Sequence, residues 1–422
     1  MIEGIQSLRH LKQDSSWSFS NLSKKETNYA SHGYHKYPAK FIPQLVSKLL
    51  LEYSKKNDTV LDCFGGCGTT LVESKINERN SIALDVNHAA LLITKAKKTA
   101  INPNTLLNQN NLLINQLSKL KIKKNHYLKA HPRLKYWFKE KQYNVLMEMF
   151  LIVKKVKEKR LRIFYECCFS DILKNCSIWY SKSIKPMRDI SKPDYNPIEM
   201  FTQHLNFMTS QNKEYYRILK DKNLKGITSS IREGDARKTG LHSDSIDLII
   251  TSPPYAISYE YADLHQLTLL WFKFTENMNS TKQKFIGTAS GQEHFSEEIT
   301  FLAKKIVSKL SKKDKSLAKQ ISRYYSDLGL VYQEMRRILK KGKRACIILG
   351  DTEYKKVKIK NTEVSIELLR NSGFEVEQVI KRKLSSKTFT PYRDQEGKFT
   401  NSSHGQKKKI YQWEYIIIAK KQ

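Results

Sequence analysis

Long apolar runs, acidic residues and paired cysteines are what this 422-residue chain is short of, and each shortage narrows its chemistry. No stretch stays apolar for the length a bilayer span needs, and Met1 to Gln13 holds no apolar core of signal-peptide length. Both point to a cytoplasmic protein with no membrane role. The six cysteines, Cys63, Cys67, Cys167, Cys168, Cys176 and Cys346, lack the paired spacing of a metal site or a disulfide framework, as suits a reducing compartment. His32 and His35 have no second ligand pair downstream, so no metal is expected. No internal repeat is present. Asp and Glu total 41 against 75 Lys and Arg, which leaves a formal charge of +34. Such a surface attracts phosphate, and nucleic acid is the economical partner; a lysine-rich background composition is the competing explanation. Basic residues interleaved with aromatics, as in Lys135-Tyr136-Trp137-Phe138-Lys139 and Lys213-Glu214-Tyr215-Tyr216-Arg217, favour the binding surface.

What is present begins with an apolar run, Ile246-Asp247-Leu248-Ile249-Ile250, that ends in Thr251-Ser252-Pro253-Pro254-Tyr255. Neither proline has a backbone N–H, so the chain must leave the sheet there with carbonyls free. The amino group of cytosine or adenine is a poor nucleophile because its lone pair is delocalised into the ring. The Ser252 hydroxyl and the Pro253 carbonyl can accept its two N–H bonds and help to localise that pair. Tyr255 can stack on the base, an interaction worth roughly 1–3 kcal/mol. A plain surface turn closing a buried strand is the alternative.

A second constellation lies upstream. Thr59-Val60-Leu61-Asp62 reads as a buried strand, Cys63-Phe64-Gly65-Gly66-Cys67-Gly68-Thr69-Thr70 as a glycine turn, and Leu71 to Asn77 as a helix. Glycines let a backbone approach a ligand closely, and Asp62 can accept a bond from a cationic amine. Ser81-Ile82-Ala83-Leu84-Asp85 is a further apolar strand, with Asp85 placed to take both hydroxyls of a ribose. A tight strand-to-helix connection remains the simpler reading of the glycines alone.

Taken together these segments resemble the S-adenosylmethionine-dependent DNA amino-methyltransferases that act on cytosine N4 or adenine N6 in bacterial restriction–modification systems. His35-Lys36-Tyr37-Pro38-Ala39-Lys40-Phe41-Ile42-Pro43 resembles the family's N-terminal cofactor motif, Asp62 to Thr70 its Phe-x-Gly-x-Gly-Thr-Thr loop, and Ser252 to Tyr255 its catalytic tetrapeptide. Gly234-Asp235-Ala236-Arg237 matches its strand-end acid. The resemblance implies an α/β, Rossmann-like, seven-stranded methyltransferase sheet closed by an antiparallel C-terminal hairpin. It assigns S-adenosylmethionine to Tyr37, Pro38, Lys40, Asp62, Phe64, Gly66, Gly68, Thr69, Thr70, Asp85 and Asp235, with Asp235 at the adenine amino group. Catalysis falls to Ser252, Pro253, Pro254 and Tyr255 on a base flipped out of double-stranded DNA. Asp263 matches an acid that often follows the tetrapeptide. Serine at the head of the tetrapeptide resembles the cytosine-N4 group, with adenine N6 the alternative. An RNA amino-methyltransferase and a non-catalytic DNA-binding protein on the same fold stay open, and a cognate restriction endonuclease is a candidate partner.

Along the chain, residues 1–101 read as the first part of the catalytic domain and 231–422 as its second. Between them, 102–230 read as a mainly helical basic insert that grips DNA or covers the cleft. Helices are expected over Phe41–Glu52, His88–Ala100, Tyr143–Val156, Arg162–Trp179, Ile198–Lys220, Tyr261–Phe274 and Tyr325–Leu339, the last leaving through Lys340–Lys343. Residues 273–322 read as a polar, mobile or DNA-facing segment. The closing hairpin is expected from residues 374–380 and 411–419, around a loop holding Arg393, Lys398 and Lys407 to Lys409.

Overall fold

A computed structural model describes residues 8–256, 260–288, 299–384 and 413–422, with 392–393, 399–400, 405 and 408–409. Seven strands form the main sheet: β1 Thr59–Asp62, β2 Asn80–Asp85, β3 Ser229–Glu233, β4 Ile246–Thr251, β5 Leu339–Leu349, β6 Phe374–Lys383 and β7 Trp413–Lys421. Their order is β3-β2-β1-β4-β5-β7-β6. The first five run parallel, and β7 lies antiparallel between β5 and β6, which is the expected hairpin.

Burial explains these assignments. All six residues of β4 are buried, as a strand covered on both faces must be, and its side chains divide between two cores. Leu248 and Ile250 meet α1 (Pro43–Tyr53) through Leu45, Val46, Leu49 and Leu50, whereas Ile249 faces the opposite core. Pro43 opens α1 at a position where its missing N–H costs nothing. The chain leaves β1 toward β2 on one side and returns to pair β4 on the other. That reversal is the topological switch point at which open α/β sheets bind ligands, beyond the carboxyl ends of their strands. Asp62, Asp85, Glu233 and Thr251 all terminate strands along this edge.

Two helices frame the first half of that edge, α2 (Thr69–Ile76) and α3 (His88–Lys97). Residues 102–230 then supply α4 (Pro103–Ser118), α5 (Pro132–Trp137), α6 (Glu140–Lys154), α7 (Lys159–Ile172) and α8 (Pro197–Asp221). Their apolar side chains join Ala89 and Ile93 of α3 and Leu267, Leu269, Leu270 and Trp271 in one continuous core. The insert is therefore anchored to the sheet's flank over a wide apolar contact.

Several elements differ from expectation. Tyr261–Phe274 is two short helices, α9 (Tyr261–Leu264) and α10 (Gln266–Trp271), broken where the buried His265 leaves helical geometry at ψ 10°. Residues 273–322 are largely helical where described: α11 (Met278–Gln283), α12 (Phe301–Ser311) and the start of α13 (Lys315–Ile338). Ala303, Ile306 and Leu310 form an apolar stripe concealed among lysines, and they join the same core as Ile321 and Leu328 of α13. The chain leaves α13 at Ile338 as expected, but Lys340–Lys343 already belong to the strand: β5 starts at Leu339, opposite Ile246, and resumes pairing at Arg344, opposite Leu248, so these residues form a bulge around Gly342 at φ +75°. Helix α7 stops at Ile172, well short of Trp179. Helix α14 (Asn361–Asn371) leads into β6. Of the loop between the hairpin strands, Lys398 and Lys407 lie outside the described residues, as does Tyr411; 392–393, 399–400 and 408–409 pair as a small antiparallel sheet.

Candidate active site

The glycine loop is shaped by what surrounds it. Gly68 caps α2 at φ +76°, and a Cβ there would sit 2.6 Å from Thr94 Cγ2. Gly66, at φ +48°, lies under the ring of Tyr37, which a Cβ would meet at 3.4 Å. Gly68 therefore needs glycine for space and for backbone angle, and Gly66 for its backbone angle. The Thr94 hydroxyl fixes the turn by donating to the Gly66 carbonyl at 2.9 Å.

Asp85, half-buried at the end of β2, accepts the Gly66 N–H on one oxygen and the Asn87 N–H on the other, each at 2.8 Å. Burial pushes its carboxyl up to about 6, against the pull of those donors. Each oxygen keeps a lone pair for a ligand hydroxyl. Beyond it, Val86, Glu233, Gly234, Asp235, Arg237, Ser280, Gln283 and Lys284 line a cavity of about 470 Å³. Asp235 faces this cavity while held by Arg237, whose Nε lies 3.0 and 3.1 Å from its two oxygens. Arg237 also reaches Asp327 on α13 at 2.8 Å, so the acid is oriented from the opposite core.

Tyr37 is the hub of the N-terminal segment. It stacks on His265 at 4.7 Å and on Tyr261 at 6.4 Å between ring centroids, which ties the cover of the glycine loop to the helices after the tetrapeptide. Burial pushes His265 down to about 3, so it stays neutral. Lys40 donates to the His32 carbonyl at 3.0 Å and to Asn28, and burial lowers it to about 8. Pro38 and the left-handed Ala39, at φ +57°, turn the chain between Tyr37 and Lys40. Within α2, Glu73 is fully buried, 2.7 Å from His32 and 2.5 Å from the Tyr29 hydroxyl; burial pushes it up to about 8 and His32 well down.

Asp62 sits at the centre. One oxygen accepts the Phe64 N–H at 3.1 Å and the Thr251 hydroxyl at 2.8 Å, and the other accepts the Thr70 hydroxyl at 2.7 Å. Burial raises its pKa and the three donors lower it. This carboxylate joins β1, the loop, α2 and β4 at the residue before Ser252. The tetrapeptide follows directly. Pro253 is buried and Pro254 half-buried; the Ser252 side chain is hydrogen-bonded to the Tyr255 hydroxyl, which donates to Glu414 on β7 at 2.5 Å. Glu414 lies 3.0 Å from the buried Arg382. The Tyr255 ring rests on Gly350, where a Cβ would approach it to 3.3 Å. Burial and Glu414 hold the phenol well above its ordinary pKa, hence protonated. Asp263 is paired with Lys282 at 2.8 Å and Arg133 at 3.5 Å.

Thus the structure gathers Tyr37, the loop from Asp62 to Thr70, Asp85, Asp235 and the tetrapeptide along one sheet edge, with Lys40 turned back toward Asn28. Sequence reasoning missed Thr251 as the link to Asp62, together with Glu414, Arg382, Arg237 and the stack of Tyr261 and His265 on Tyr37. A signal existed for Thr251 alone: a hydroxyl at the end of an apolar buried strand must find an acceptor.

The fold and this edge define an S-adenosylmethionine-dependent methyltransferase. Residues 6–96 and 246–422 match the DNA methylase family of N6 and N4 amino-methyltransferases, and the chain belongs to that family, of restriction–modification type. It is similar to the Type II methyltransferase M.MvaI of Kocuria varians, 23% identical over 418 residues, covering 91% of this chain and 90% of that protein. It is also similar to M.MjaII of Methanocaldococcus jannaschii, 31% identical over 202 residues, covering 41% and 37%. Among solved structures, a putative DNA modification methylase from Thermus thermophilus, complexed with S-adenosylmethionine, is 16% identical, with a TM-score of 0.23 over 44% of this chain and 53% of that one. Among the described residues no helix is long and apolar enough to cross a membrane, and no cluster of three or more His, Cys, Asp or Glu could hold a metal.

Proposed function

We propose that this enzyme methylates the N4 amino group of cytosine flipped from double-stranded DNA at a specific sequence. The observation that carries the reading is the hydrogen-bond chain from Ser252 through Tyr255 to Glu414. Because the Ser252 proton is directed at Tyr255, the serine oxygen presents lone pairs to an amino group of the base. The Pro253 carbonyl takes the second N–H, and Tyr255, pinned at its hydroxyl, offers a ring of fixed orientation for stacking. When bound, S-adenosylmethionine supplies an electrophilic methyl group on a sulfonium, so no covalent enzyme intermediate is needed. Asp85 accepts the ribose hydroxyls, Asp235 the adenine amino group, and Tyr37 and Pro38 with the loop from Asp62 to Thr70 hold the amino acid end, while Lys40 braces the Tyr37 turn through Asn28 and the His32 carbonyl. Positioning supplies most of the acceleration. A neutral serine hydroxyl serves cytosine N4 without bringing a charge to the base; adenine N6 is the second reading, since its amino group has the same donors.

The direct test is expression in a methylation-free bacterial host, followed by nucleoside mass spectrometry and single-molecule sequencing. N4-methylcytosine in one sequence context is the expected product. N6-methyladenine would overturn the choice of base, and unmodified DNA with purified protein that binds cofactor would turn attention to RNA.

Asp85 gives this function a pH signature. Accepting two hydroxyls favours the carboxylate, whose pKa near 6 lies above the ordinary 3.8. Cofactor affinity is therefore expected to be level above pH 7 and to weaken as pH falls through 6, approaching about tenfold per unit in the acid limb. Calorimetry from pH 5 to pH 8 measures this. Asp85→Asn should bind weakly with a flat profile; a wild-type profile level down to pH 5 would remove Asp85 from the ribose.

A further inference from the structure

Residues 174–195 of the insert build a projection that the cofactor and base sites leave unused. Ile178 to Asp189 double back as a hairpin: Tyr180 N–H donates to the Met187 carbonyl at 2.8 Å and Asp189 N–H to the Ile178 carbonyl at 2.7 Å, with Trp179 bridged to Arg188. Its base is stapled by Lys192, which is 5% exposed and donates to the carbonyls of Lys174, Ser177 and Trp179 at 2.8, 2.8 and 2.9 Å. Lys174 reaches the Ser183 carbonyl near the tip at 2.7 Å. Trp179 stacks on Trp137 of α5 at 5.0 Å. So many fixed contacts make a stiff prong.

What it displays is unusual for a solvated face. Met187 is 47% exposed, Ile190 71% and the neighbouring Tyr136 51%, and the Arg188 guanidinium lies 4.1 Å over the Tyr136 ring. Lys182 and Lys185 are exposed at the tip. Among the nearby acids, Asp189 is occupied by the N–H and hydroxyl of Ser191 and Asp194 is paired with Lys139 at 2.9 Å. The prong is also joined to the active site. Gln266 of α10 accepts from Arg133 Nε at 2.6 Å and Trp137 Nε1 at 3.0 Å, both on α5, one residue from the His265 that stacks on Tyr37.

We propose that the hairpin Ile178–Asp189, with α5 beside it, is a DNA-reading prong: Lys182, Lys185 and Arg188 meet phosphates while Met187 and Ile190 enter a groove. A narrow hairpin closed by the Trp179–Arg188 bridge is comparable in width to the two-stranded ribbon that a major groove admits, and cations flanking exposed apolar side chains fit a groove edge better than a protein partner. The proposal rests on the DNA-methyltransferase reading and gives it a segment for target recognition.

The test uses the full-length protein with S-adenosylhomocysteine and a fluorescent duplex carrying the methylated site, titrated at several salt concentrations. The variant with Lys182→Gln, Lys185→Gln and Arg188→Gln should bind tenfold or more weakly, with a log K against log salt slope shallower by about 2–3, since each phosphate contact contributes about 0.9. The Met187→Ala, Ile190→Ala variant should keep the slope and lose discrimination between the site and a mixed-sequence duplex. Unchanged cofactor affinity and Tm in both show that the fold is intact. Variants that match a DNA-binding wild type in affinity, slope and discrimination overturn the prong alone. A wild type that binds no duplex overturns the DNA-methyltransferase reading as well.

Discussion

Tyr255→Ala should lower methyl transfer by roughly 10³-fold while cofactor affinity stays within a factor of about two. Stacking accounts for roughly 1–3 kcal/mol of that effect, and loss of a fixed base position for the rest. The phenol has a second task, because it accepts a hydrogen bond from the Ser252 hydroxyl and donates its own to Glu414. Without it the Ser252 hydroxyl is free to rotate and present its hydrogen to the base, which repels an amino donor. Tyr255→Phe separates the two tasks: the ring remains and the relay is cut, so an intermediate loss in kcat is expected. Single-turnover methylation with calorimetric cofactor titration checks all three proteins. A Tyr255→Ala protein that no longer binds cofactor, or that transfers methyl groups at the wild-type rate, would remove this residue from the base site.

The legible parts of this protein are those whose chemistry is local. From Thr59 to Asp85, strand, glycine turn, helix and strand follow one another within a single βαβ unit, so spacing alone positions Asp62, Gly66, Gly68 and Asp85. The tetrapeptide is legible for the same reason: two prolines after an apolar strand leave few conformations. What was hidden depends on long-range partners. Thr251 meets a carboxylate 189 residues away, and Tyr255 one 159 residues away. Helix α4 escaped notice because its buried stripe runs Leu106, Asn110, Leu113 and Leu117, with an asparagine at a core position whose amide donates to the Thr209 hydroxyl. Its start was readable, since Asn102 caps it and Pro103 occupies its first position. The staple at Lys192 has no sequence signature: a lysine in a polar loop reads as solvated until three carbonyls are seen to converge on it.

Asp62→Ala is expected to be the most damaging single change, abolishing cofactor binding and methyl transfer and lowering Tm by several degrees. The side chain accepts three hydrogen bonds in the interior, two from hydroxyls of fully buried threonines, Thr70 and Thr251. Each donor left unpaired costs about 1–3 kcal/mol, partly offset by relief of a carboxylate whose own burial is unfavourable. Two further variants separate bracing from direct contact with the cofactor's ammonium. Asp62→Asn keeps the volume and one acceptor, and the hydroxyl of Thr70 can turn to accept from the new amide. Its Tm should therefore stay close to wild type, so a hundredfold loss of cofactor affinity in this variant reports the missing negative charge alone. Thr251→Val removes only the strut to β4. Because Thr251 precedes Ser252, this change should lower kcat with little effect on cofactor affinity, as a shift of the tetrapeptide would. If Asp62→Asn binds cofactor as the wild type does while Thr251→Val loses turnover, Asp62 acts as the brace between the two motifs and leaves the ammonium to other acceptors. If Asp62→Ala itself binds cofactor normally, neither role holds.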